Sequence, residues 1–203
     1  MDSTTTETLL EVDSMEYDIL ERAVLAVDLI EGMSCEIGVR EGGSSQIIMK
    51  TGRKRVHIGI DPYGHIEYRH GEIYASRSDY TNAMRNRAIS KLYAWCAHTG
   101  NDFLFFCLED TEFFTRFADG VPVYESEKKV LNQYALVFFD GPHTSRDVIR
   151  EVEFFASRTP VGGVFVFDDI HTYAHAEVDN VLRTKGFQAL EQGFCKMSYI
   201  KRS

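Results

Sequence analysis

Five short runs, at 33–38, 55–60, 103–108, 135–139 and 163–167, are solidly apolar or nearly so. A strand with one face in water alternates polar with apolar residues, so unbroken runs predict strands covered on both faces, as in a parallel sheet. Helical patterns lie before and between them. Residues 17–31 space Ile19, Leu20, Ala23, Val24, Val27 and Ile30 along one helix face, with Gly32 as a stop. A short helix is expected at 44–50 and a longer one at 79–98. Another, at 145–157, carries Val148, Ile149, Val152, Phe155 and Ala156. Strand and helix in alternation force right-handed crossovers, so the expected fold class is α/β, Rossmann-like and doubly wound. After a last helix at 174–185, the apolar runs 187–190 and 194–200 are separated only by Glu191-Gln192-Gly193. Strands joined that tightly run antiparallel, so a mostly parallel seven-stranded sheet should end in an antiparallel β-hairpin.

The 203 residues suit one domain over 1–203, with an N-terminal helical extension at 1–32 and a candidate substrate loop at 112–133. The net charge is −9 and the basic residues are scattered, which would repel a phosphate backbone; no nucleic-acid partner is expected. Cys35, Cys96, Cys107 and Cys195 lack metal-ligand spacing and read as reduced thiols. No run approaches the length of a membrane span and the start is polar and acidic, so the expectation is a cytoplasmic protein without membrane contact. A homo-oligomer is allowed, and neither its presence nor its size is fixed by the sequence.

Glu36-Ile37-Gly38-Val39-Arg40-Glu41-Gly42-Gly43-Ser44-Ser45 is a glycine turn after the first strand, and Asp61 ends the second. That order is how α/β sheets hold an adenosine-bearing cofactor, the carboxylate accepting from vicinal ribose hydroxyls. Asp61 could instead serve the turn before Pro62. Tyr63, His65 and Tyr68 follow and are placed to line an adenine or substrate pocket. Two further strands end in carboxylates, Asp140 in one and Asp168-Asp169 in the other. If those strands are neighbours, the three carboxylates crowd one sheet edge. Such a group takes a cation or raises a pKa, and hard oxygens favour magnesium or calcium. Helix and turn capping is the competing role for the same residues.

The ordered set of E-x-G-x-x-x-G-x-S (Glu36 to Ser44), Asp61, D-G-x-H (Asp140 to His143), G-G-V-x-V-x-D-D (Gly162 to Asp169) and A-x-x-E-V-D-x-x-L (Ala174 to Leu182) resembles a class I S-adenosylmethionine-dependent methyltransferase. The likeness is nearest to small-molecule O-methyltransferases of the macrocin and catechol type. It implies that Glu36, Gly38, Arg40, Gly43, Ser44 and Ser45 wrap the methionine part of S-adenosyl-L-methionine, that Asp61 holds the ribose, and that Asp140 stands at the cofactor. Residues 108–114 resemble G-D-S-L-E-F-L, with Leu108 for glycine and Glu109 for aspartate, which sets Glu109 and Asp110 by the adenine. Asp140, Asp168 and Asp169 match the positions that hold Mg2+ in metal-dependent members. The implied activity is methyl transfer to a hydroxyl of a small-molecule acceptor, with His143 as general base and His171 as runner-up. A nicotinamide-dependent oxidoreductase is the alternative, although Gly38, Gly42 and Gly43 do not form G-x-G-x-x-G; a non-catalytic cofactor-binding module is another.

Overall fold

The computed structural model describes residues 10, 12, 14–65, 68–69, 76–77, 80–141 and 144–203. In chain order the elements are α1 (Tyr17–Ala26), β1 (Met33–Ile37), α2 (Gly43–Thr51), β2 (Val56–Ile60), β3 (Tyr68–Arg69) and β4 (Ser76–Arg77). Next come α3 (Asn82–Thr99), β5 (Asp102–Phe106), α4 (Asp110–Arg116), β6 (Val121–Tyr124), β7 (Lys128–Leu131) and β8 (Tyr134–Phe139). The chain closes with α5 (Ser145–Ala156), β9 (Val164–Phe167), α6 (His175–Thr184), β10 (Phe187–Gln192) and β11 (Met197–Lys201).

Seven strands form the main sheet in the order β10-β11-β9-β8-β1-β2-β5. The pairings from β9 through β5 are parallel, while β11 runs antiparallel to both β9 and β10. The doubly wound sheet with a terminal hairpin is therefore present. Strand periodicity sorts the core. On β9, Val164 and Val166 join Leu20, Ala23, Val24 and Val27 of the α1 side, whereas Phe165 and Phe167 join Val148, Val152, Val178 and Leu182 of α5 and α6. Phe139 and Phe167 stack across adjacent strands at 4.5 Å, and Phe165 stacks on Phe187 at 4.4 Å. Each buried aromatic ring adds roughly 1.5–3 kcal/mol of transfer free energy, so this layer ties β8, β9 and β10 into one core.

Two expectations need correction. The first helix stops at Ala26, where turns replace the expected continuation to 31. The candidate substrate loop at 112–133 is ordered secondary structure: most of α4, then the antiparallel hairpin of β6 and β7. Val121 and Val123 are buried while Tyr124 is exposed, a two-residue period that sets one hairpin face against the core. Only Asn132 and Gln133 separate β7 from the start of β8, so the hairpin abuts the amino edge of the sheet. Arg158, just past α5, donates to the Ala118 carbonyl there at 2.9 Å. The carboxyl edge is the opposite end of the strands.

Candidate active site

From β1 the chain proceeds outward to β2 and then β5, and crosses back to place β8 on the other flank of β1. The crossovers therefore diverge between β1 and β8, which opens a crevice beyond their carboxyl ends. A depression of about 240 Å³ lies there, walled by Ile37 and Gly38 after β1, Ile60 and Asp61 after β2, and Asp140 and Gly141 after β8. Gly38 has φ 88°, and a Cβ on it would collide with the Asp140 carbonyl oxygen. Glycine is required at that close approach of two strand ends. Arg40 and Gly42 are also left-handed, at φ 46° and 85°, and turn the chain into α2, so that Gly43, Ser44 and Ser45 form its buried first turn. The N–H groups of such a turn favour an anionic group.

Asp61 fastens this loop. Its Oδ2 accepts the backbone N–H groups of Val39 and Arg40, both at 3.0 Å, and Oδ1 accepts that of Tyr63 at 3.0 Å. Three of a carboxylate's roughly four lone-pair positions are thereby used, leaving about one for a ligand hydroxyl. Burial pushes the Asp61 carboxyl up to about 6, against the lowering effect of the three N–H donors. The Tyr63 hydroxyl donates to the Arg40 carbonyl at 2.5 Å, and Tyr63 lines the depression. The Arg40 guanidinium stands 5.8 Å from the Tyr80 ring centroid.

Glu36 and Ser45 turn into the interior. The Ser45 hydroxyl donates to Glu36 Oε2 and lies 3.2 Å from His57 Nε2, while His57 Nδ1 meets the Ser34 hydroxyl at 2.9 Å. All four side chains are buried, so this network braces the loop from beneath. Glu36, Arg40, Gly43, Ser44 and Ser45 are absent from the described wall of the depression; Gly38, Asp61, Glu109, Asp110 and Asp140 are in it. At the far end Glu109 caps α4 with a capping box to Glu112. Arg150 reaches Asp110 at 3.2 Å and Asp147 at 2.9 Å, closing the rim. Tyr80, Asp147 and Arg150 went unrecognised in the sequence, although Asp147 and Arg150 sit three apart on α5, away from its apolar stripe.

Asp140 and Asp168 end neighbouring strands, as expected, but the three carboxylates do not form a cation site. Asp140 is in the depression wall, but Asp168 is 1% exposed and its Oδ2 forms a 2.7 Å salt bridge to Nζ of Lys196, which is 0% exposed. Among the described residues no three His, Cys, Asp or Glu side chains are grouped to hold a metal ion. Asp169 adopts φ 48° and donates its N–H to Asp168 Oδ1 at 2.8 Å. The set Asp140, Asp168 and Asp169 thus does not fit Mg2+: its central member already has a cationic partner. His143 lies outside the described residues. His171 is exposed, stacks on Phe194 at 5.0 Å and lines a separate depression with His175 and Phe194. That second histidine, also missed, is half-buried between the Tyr173 hydroxyl at 3.1 Å and the Tyr199 hydroxyl at 3.0 Å, and burial lowers it to about 4.

The sequence profile of a methyltransferase-domain family matches residues 35–170, which spans β1 to the turn after β9 and includes every wall of the crevice. The chain belongs to that family. It is a class I S-adenosylmethionine-dependent methyltransferase, which excludes the nicotinamide alternative. Solved structures share the fold at low identity. An O-methyltransferase from Bacillus cereus in complex with S-adenosylhomocysteine is 12% identical, with TM-score 0.57 over 95% of this chain and 84% of that one. Magnesium protoporphyrin IX methyltransferase from Synechocystis PCC 6803 with S-adenosylhomocysteine is 13% identical, with TM-score 0.58 over 91% and 81%. An rRNA methylase from Streptococcus thermophilus is 12% identical, with TM-score 0.53 over 95% and 100%. No curated protein sequence matches.

The crevice of this methyltransferase suits the cofactor. Gly38 leaves the strand ends open, Asp61 offers a buried acceptor, and Leu108 with Tyr63 supplies apolar wall beside the acidic rim. No helix among the described residues is long and apolar enough to cross a membrane. Cys35, Cys96 and Cys195 are buried free thiols and Cys107 is an exposed one.

Proposed function

We propose that this methyltransferase transfers the methyl group of S-adenosylmethionine to a hydroxyl oxygen of a small molecule. The supporting observation is the charge of the crevice: among the described residues its lining holds Glu109, Asp110, Asp140 and Asp147, besides the buried Asp61, and one arginine, Arg150. A polynucleotide would bring phosphates against four carboxylates on a chain of net charge −9, which disfavours an RNA acceptor. Bound in the crevice, the cofactor supplies an electrophilic methyl on a sulfonium. This chain's own part is alignment and proton removal. Gly38, the α2 start and Asp61 fix the loop, Arg150 and its two carboxylates shut the far end, and His143, which follows Asp140 by three residues, takes the acceptor's hydroxyl proton. His171 is the second choice for that role. The experiment is methyl transfer from radiolabelled cofactor to a panel of catechols, sugars and phenols beside an rRNA transcript and a ribosomal protein. Label on a hydroxyl compound, and its loss in His143→Ala with cofactor affinity kept, supports the reading; label only on RNA or protein overturns it.

A further inference from the structure

Lys196 precedes β11 and is held from every side. Its Nζ donates to Asp168 Oδ2 at 2.7 Å and to the Ser14 hydroxyl at 2.8 Å, and lies 4.6 Å from the Tyr17 ring centroid and 5.6 Å from that of Phe138. An ammonium has three protons to place. Two make the bonds to Asp168 and Ser14 and the third faces aromatic rings, whose negative faces attract a cation. The backbone holds the lysine in the same place: Glu16, at the start of α1, accepts the N–H groups of Phe194, Cys195 and Lys196 at 2.8, 3.0 and 3.0 Å. On the other partner, Asp168 Oδ1 accepts from Asp169 N–H at 2.8 Å and from the Ser14 hydroxyl at 3.2 Å. Both oxygens of Asp168 are engaged, and neither Asp168 nor Lys196 has meaningful contact with water.

A divalent ion on Asp168 would have to displace Lys196 or sit beside a buried positive charge in a region of low polarisability, where like charges repel strongly. We infer that Lys196 is the resident cation of this sheet edge, so that Asp140, Asp168 and Asp169 bind no divalent metal and methyl transfer proceeds without one. The second half of that statement rests on the methyltransferase reading; the first does not. Lys196 touches no reacting atom and acts as a positioning residue, neutralising Asp168 and tying the hairpin and the segment before α1 to the end of β9.

The test is Mn2+ binding followed by the paramagnetic resonance of the free ion, on wild-type protein with and without S-adenosylhomocysteine. The expected result is no saturable site up to millimolar Mn2+ while calorimetry on the same sample detects the nucleoside ligand. One saturable Mn2+ site that Asp168→Asn abolishes overturns the inference, whether or not the nucleoside binds. Failure to bind the nucleoside would instead count against the methyltransferase reading. As a second arm, Lys196→Met leaves Asp168 buried without its counter-charge and lowers the melting temperature, and the double variant Lys196→Met/Asp168→Asn recovers at least half of the drop. A Lys196→Met protein as stable as wild type would also overturn it.

Discussion

Gly38 and Asp61 carry the site in different ways. Gly38 is a matter of space: its left-handed φ and the nearby Asp140 carbonyl exclude a side chain. Gly38→Ala is expected to cost about 1–3 kcal/mol from backbone strain and to weaken S-adenosylhomocysteine binding together with it, read by thermal melting and calorimetry; a variant with unchanged melting would show that the strand ends can spread. Asp61 is a matter of charge, since it pins the turn through three N–H groups while remaining the buried acceptor of the crevice. Both residues were legible in the sequence because a glycine turn and the acidic residue after the next strand lie within one βαβ unit. Lys196 was not. It lies 28 residues beyond Asp168, and nothing in its neighbourhood signals a partner until the hairpin folds back beside β9. Glu36 and Ser45 were legible as members of the turn but not in direction: Ser45 bridges Glu36 Oε2 and His57 Nε2 beneath it.

At the scale of elements, the five parallel strands and the terminal hairpin follow from runs long enough to show their period. The β6 and β7 hairpin escaped because each strand has four residues and only one buries alternate side chains, a signal too short to separate from a loop. Within the N-terminal helical extension expected at 1–32, Glu16 at the start of α1 is a fastening to the far end of the sheet. Glu16 accepts three backbone N–H groups of the β10–β11 connection, and these donors, led by Phe194, hold its carboxyl down at about 2. A carboxyl depressed below its unfolded value of 4.5 stabilises the fold above that pH and loses the contribution as the pH falls toward 2. Glu16→Gln is therefore expected to lower the melting temperature at pH 7 by a few degrees and to flatten its decline between pH 4.5 and 2. An unchanged decline would mean that the fastening does not carry acid sensitivity.

Across the whole molecule, buried titratable groups oppose one another. Asp61 is raised from 3.8 to about 6, so its contribution to stability is fully present below 3.8 and is lost as the pH rises through 6, a cost of about 3 kcal/mol at neutral pH. Glu151, fully buried with no hydrogen-bond partner for either oxygen among the described residues, is raised well above the carboxylate range by burial and acts in the same sense. His175 acts oppositely: lowered from 6.5 to about 4, it contributes above 6.5 and loses that contribution as the pH falls through 4. With two carboxyls against one imidazole, the ligand-free protein should melt no lower at pH 5.5 than at pH 7.5; a clear fall at pH 5.5 would contradict this balance. On the proposed reading Asp61 accepts a ribose hydroxyl more strongly as the carboxylate than as the acid, so the ligand should stabilise more at pH 7.5. The decisive measurement is calorimetry of S-adenosylhomocysteine with wild type and Asp61→Asn from pH 5 to 8. Expected are one equivalent bound, an affinity that is level above pH 7 and falls about tenfold per unit below pH 6, and about 30-fold weaker binding in the variant from the lost charge-assisted hydrogen bond. An absence of binding heat, or a variant that binds as wild type does, would contradict it.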